Sequence, residues 1–172
     1  MSKFNQVRGV IASLEQGQFQ LLCNNYLQVT FGGEMHPPGS VETNNKTRIG
    51  RPDSYLFKED GTYIIAEHTT KDTNDRKAFF KKLDKDLKEC LDFEKLKIPA
   101  SKIRMIIQCC NSAVEPYERE KLATQTAAFS IAYKMVTLDD LAIHYATVGK
   151  VFAHQFLGIA YDTGQILDKE QF

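Results

Sequence analysis

Residues 50–71 read GRPDSYLFKEDGTYIIAEHTTK, and they predict two antiparallel strands joined by a tight turn. DSYLF and TYIIAEHTT are rich in aromatic and β-branched residues, which suit a pleated, partly buried surface, and KEDG between them is a hairpin turn signal. Asp53 starts the first strand and Glu67 lies near the end of the second, so the hairpin brings two carboxylates together. Side chains alternate along a strand, which projects Glu67, Thr69 and Lys71 to one face and His68 to the other. Two close carboxylates repel, and a divalent cation relieves that repulsion. Mg²⁺ takes hard oxygen ligands and keeps several waters, one of which is then available as a nucleophile beside a phosphate. Lys71 on the same face is placed to orient or deprotonate that water. Solvated acids and a lysine on a surface hairpin would show the same spacing.

Outward from the hairpin, Phe19, Leu22, Cys23, Tyr26 and Leu27 recur at helical spacing, predicting one helix from about Val7 to about Val29. FGGEMHPPGSVETNNKTRIGRP, residues 31–52, reads as mostly loop, and it opens directly onto Asp53. Phe79, Phe80, Leu83, Leu87, Cys90 and Leu91 predict a helix from Asp75 to Leu96, with Asp72 or Thr73 as its cap. IRMIIQCC is an unbroken apolar run that suits a central strand buried on both faces. A helix over 116–128, a strand in IAYKMVTL and one or two C-terminal helices complete an α/β chain with a mixed sheet.

The 172 residues are enough for about one domain, and 42% hydrophobic with 26% charged residues is ordinary globular composition. Lys plus Arg balances Asp plus Glu at 22 each, which excludes a polybasic binder; nucleic-acid binding would need charge gathered on one face. Between Lys71 and Arg104 there are eleven Lys or Arg against seven Asp or Glu, a local excess that would track phosphates or simply face solvent. The cysteines, Cys23, Cys90, Cys109 and Cys110, lack zinc-clip spacing and read as reduced, buried thiols, with Cys109 and Cys110 core-filling and no histidine placed near those two. His36 lies in the loop; His144 and His154 are too far apart in sequence to pair on a metal. No signal peptide, membrane-spanning stretch or GxxxxGK[ST] motif is present, so a cytoplasmic chain without its own P-loop is expected.

GRPDSYLF followed by YIIAEHTTK resembles the core of the PD-(D/E)XK nuclease superfamily, and GQFQLLCNNYL ahead of it is similar to the first helix of the Mrr-like branch. The resemblance covers roughly residues 15–112. It implies a restriction-endonuclease-like mixed sheet flanked by helices, and a Mg²⁺-dependent endonuclease, with Mn²⁺ able to substitute, acting on DNA, double-stranded by expectation. It also implies Asp53, Glu67 and the backbone carbonyl of His68 as metal ligands, and Gln108 as a polar neighbour. The chain departs from the family at Thr69, where the family lysine would stand, leaving Lys71 as its replacement. It departs again at Gln20, where many members carry Glu, which favours one ion over two. Lys81, Lys82 and Lys85 are the expected nucleic-acid contacts. FLGIAYDTGQIL is similar to the segment joining an effector nuclease to the ATPase of bacterial antiviral STAND proteins. That implies a nuclease domain over 1–157, a connecting segment over 158–172, an anti-phage role, and homo-oligomers formed through a downstream ATPase region. A nuclease-fold module that binds nucleic acid or protein without cutting is the alternative, and a small interaction module that binds no nucleic acid is a third.

Overall fold

In the computed structural model of the chain, residues 2–36, 52–70 and 74–161 are described. The hairpin forms as its sequence predicts, with β2 (Ser54–Phe57) running antiparallel to β3 (Tyr63–Thr69) from the Phe57–Tyr63 pair to the Ser54–Ala66 pair. Its turn closes through Lys58 N–H to Thr62 O at 2.9 Å and Gly61 N–H to Lys58 O at 3.0 Å. Gly61 sits at φ 84°, in the left-handed region that favours glycine. The Asp60 carboxylate accepts from both the backbone and the hydroxyl of Thr62.

IRMIIQCC becomes β4 (Ile103–Cys110), parallel to β3 on one side and to β5 (Ala132–Val136) on the other. A further strand, β1 (Glu34–His36), pairs antiparallel with β2 at the edge, inside the stretch expected to be loop. Three residues of this strand carry no pattern long enough to stand out among the surrounding Gly and Pro. Among the described residues the result is a mixed five-stranded sheet in the order β1-β2-β3-β4-β5.

The single helix expected near 7–29 is two helices, α1 (Lys3–Ala12) and α2 (Gln16–Phe31). The Ser13 hydroxyl donates to Val10 O at 2.9 Å, and Ser13 and Leu14 close α1 with bonds three residues back. Serine competes for the backbone in this way and ends the run although the apolar stripe continues. The helix expected from Asp75 to Leu96 also divides, into α3 (Arg76–Cys90) and α4 (Phe93–Leu96). Asp75 caps α3 by accepting from Ala78 N–H at 3.0 Å, and Asp92 starts α4. Of the caps expected, Asp72 and Thr73 lie outside the described residues.

α5 (Pro116–Ala127), α6 (Leu138–Ala146) and α7 (Lys150–Leu157) follow. Between the last two, Gly149 passes so close to α6 that a Cβ there would lie 2.7 Å from the Tyr145 ring and 2.8 Å from His144. Past α7, Ile159 and Tyr161 are buried, and the Tyr161 hydroxyl donates to Tyr145 O at 2.6 Å. The rest of the segment expected to connect to a further domain lies outside the described residues.

Each sheet face has its own core. One packs α1, α2, α6 and α7 against Leu56, Ile64, Ala66, Ile107, Cys109 and Val136. The other packs α3, α4 and α5 against Ile65, Ile106, Cys110 and Met135. Strand alternation therefore sends Glu67 and Thr69 of β3 toward α3, and His68 toward α2. Among the described residues no helix is long and apolar enough to cross a membrane.

Candidate functional site

Asp53 lies one position before the first residue of β2, opposite the C-terminal end of β3. Its carboxylate accepts from His68 N–H at 2.7 Å, and its backbone carbonyl accepts from Gln20 Nε2 of α2 at 2.9 Å. Both bonds hold Asp53 where its carboxylate meets that of Glu67 at hydrogen-bonding range. Glu67 is 6% exposed. Burial, then the charge and hydrogen bond of Asp53, then the charge of Asp86, raise the Glu67 pKa well above the usual glutamate value. Without a cation Glu67 therefore holds its proton more tightly than a solvated glutamate does. The Cys90 thiol of α3 faces the Glu67 carboxylate, with Sγ 3.6 Å from Oε1, and burial followed by Glu67 pushes the thiol's own pKa up.

α3 supplies two residues whose roles the sequence did not disclose. Asp86, 3% exposed, accepts from the Thr69 hydroxyl at 3.1 Å and from the Lys82 ammonium one turn earlier. Burial alone would lower the Lys82 pKa, but Asp86, with Glu67 and Glu89 behind it, raises it. Lys82 is exposed like Lys81 and Lys85, but its ammonium is turned onto Asp86 beside the acids. A signal for Asp86 does exist in the sequence: it is the lone acid on the apolar stripe Phe79, Leu83, Leu87 and Cys90.

Gln16 is a further contributor. Its Nε2 donates to the His68 carbonyl at 2.7 Å, and its Oε1 accepts from the Thr70 backbone and hydroxyl. The carbonyl expected to ligate metal is thereby already bonded, with one lone pair to spare. Gln108 pairs with Glu67 across β4 and is fully buried, but its side chain serves packing: Nε2 donates to Leu83 O at 2.8 Å and Oε1 accepts from Tyr133 at 2.6 Å. Lys71 lies outside the described residues.

No family model, curated protein or solved structure matches the chain.

On the opposite face of β3, His68 is 2% exposed, and its Nε2 lies 3.0 Å from Ser54 Oγ and 3.1 Å from Asn24 Oδ1. The ring packs beside Cys23 of α2 and Cys109 of β4. This corrects the expectation that no histidine stands near Cys109, which the sequence could not show because the three residues come from three separate elements. Burial pushes both thiols up. At Cys109 a hydrogen bond from Cys23 and the His68 ring outweigh burial and pull it below the usual thiol value, while Cys23 stays well above it. All four cysteines are free and buried.

Proposed function

We propose that the chain is a divalent-cation-dependent phosphodiesterase of the PD-(D/E)XK kind, cutting DNA with Asp53 and Glu67 as the metal-holding carboxylates. The observation that carries this reading is the pairing of a buried Glu67 with Asp53 at hydrogen-bonding range, on a β-hairpin end pinned by Gln20 and His68 N–H. An ionised pair of this kind is costly to bury without a counter-charge, and hard oxygen donors suit Mg²⁺ or Mn²⁺. The ion, when bound, supplies Lewis acidity toward a phosphodiester and a water of lowered pKa.

The chain's own residues do the remainder. Asp53 and Glu67 fix the cation, and the backbone bonds to Gln20 and His68 keep Asp53 from retreating toward solvent. Lys82 supplies positive charge beside the acids, where the family's lysine is missing from position 69. The restriction-endonuclease-like architecture is part of the proposal. So are a double-stranded DNA substrate and a role as the effector of a larger antiviral assembly.

A second reading is a module of the same fold that binds nucleic acid or a partner without cutting. Thr69 favours it, since its hydroxyl is spent on Asp86 instead of on a nucleophile. Supercoiled plasmid incubated with the chain and Mg²⁺ or Mn²⁺ separates the two. We expect nicking that Asp53→Ala and Glu67→Ala each lower by on the order of a hundredfold or more. Plasmid left intact by the wild type, but retarded in a gel, would establish the second reading.

A further inference from the structure

We infer that Cys23, His68 and Cys109 form a structural zinc site, with ligands Cys23 Sγ, His68 Nδ1 and Cys109 Sγ, in the core behind the carboxylate pair. One ligand atom from each residue lies within 4.8 Å of the other two, and all three residues are buried. The ring supplies an independent indication. In the tautomer that donates from Nε2 to Asn24 Oδ1 at 3.1 Å, Nδ1 carries the lone pair a metal needs. That Nδ1 is buried and no oxygen or nitrogen among the described residues bonds it, so the ring's remaining polar neighbour is the Cys109 sulfur. A partner that fixes the far nitrogen of the ring is the usual outer support of a metal-bound histidine.

Donor chemistry selects the ion. Two thiolates and an imidazole are soft and borderline donors, which suit Zn²⁺ and Cu⁺ and not Mg²⁺. Two thiolates cancel the charge of Zn²⁺, whereas Cu⁺ would leave a net negative charge in an apolar core, where unpaired charge is expensive. Zinc bonds of about 2.3 Å to sulfur and 2.0 Å to nitrogen put tetrahedral ligands roughly 3.5–3.8 Å apart, so closure asks for movements of about an ångström. Three protein ligands leave a fourth position for water. The ion would join α2, β3 and β4 at one point, and His68 would link it covalently to the backbone N–H that holds Asp53. The inference does not depend on catalysis.

The test is metal analysis of the full chain purified under reducing conditions, with cobalt as a spectroscopic substitute. About one zinc per chain is expected, and Co²⁺ should give a thiolate-to-cobalt charge-transfer band in the near ultraviolet together with intense d–d bands. The thiol beside the carboxylate pair is Cys90, so the Cys90→Ser variant tells cobalt at that pair from cobalt at the proposed site. The band should vanish in Cys23→Ser, Cys109→Ser and His68→Ala and persist in Cys90→Ser and Cys110→Ser. Wild type with four titratable thiols after denaturation, but no zinc and no thiolate band, would overturn the inference. So would a Cys23–Cys109 disulfide found under the same conditions. The wild-type spectrum decides even if a variant fails to fold.

Discussion

Glu67 owes its raised pKa to burial first and to Asp53 second, and both causes act only in the folded chain. The folded state therefore binds the proton more tightly than the unfolded state does. The stability this contributes is full below the unfolded value of about 4.3 and is lost as pH rises through the folded value. In EDTA, Glu67→Gln should match wild type near pH 4 and melt several degrees higher at pH 8, since the amide never has to ionise in place. Melting curves of both proteins across that range check this, and parallel curves would contradict it. Lys82 is the second residue to probe. Lys82→Ala should lower plasmid cleavage by on the order of a hundredfold, because a preorganised positive charge beside the acids is lost. Lys82→Arg should recover much of it, and Lys71→Ala assayed in parallel shows which lysine matters. The carboxylate pair was legible because both members sit on one hairpin whose turn chemistry is local. Asp86, Lys82 and Gln16 were not, because their positions depend on how α3 and α2 pack against the sheet.

Among the elements, α6 and α7 show how much a single small residue can carry. Gly149 has an ordinary backbone conformation, so its importance is steric: a methyl group would lie 2.7 Å from the Tyr145 ring. Tyr145 is fully buried, with its hydroxyl bonded to Leu22 O at 3.0 Å and Asn25 at 2.7 Å on α2, and has nowhere to move. Gly149→Ala should cost about 1–3 kcal/mol, read as a lower urea midpoint with unchanged slope. Gly9→Ala, in the middle of α1 with open space around it, should instead stabilise by up to about 1 kcal/mol. The long strands and helices could be read from periodicity, including the buried β4. The breaks at 13–15 and 91–92 could not, because an apolar stripe keeps its phase across a short interruption whose cause is a local serine or aspartate bond. β1 escaped for the opposite reason: its pairing with β2 is decided by the edge it meets, not by its own three residues.

At the scale of the whole molecule the charge is balanced, and several of the basic groups near the site are already paired. Lys82 lies against Asp86, Lys88 against Asp84 and Arg76 against Glu118. A free chain should then hold DNA weakly, and on the proposed reading one carboxylate site would cut one strand at a time. Tethering copies raises effective concentration to about millimolar with no new contact. Fusion to an unrelated oligomerising coiled coil should therefore accelerate plasmid linearisation more than nicking, at equal domain concentration. Equal linearisation rates from the free and fused forms would show that proximity is not limiting. The sheet itself has one more consequence. Along β3, neighbouring positions open into different interiors, with Glu67 and Thr69 against α3 and His68 against α2 and its cysteine. If β3 paired one residue out of step, His68 would lose Ser54 and Asn24, and the Glu67 carboxylate would be buried among the sulfurs, away from Lys82. The two chemistries thus act as a reading-frame check on strand pairing: only the correct register puts the Glu67 carboxylate beside Asp53 and Cys90 and the His68 ring beside Ser54 and Asn24.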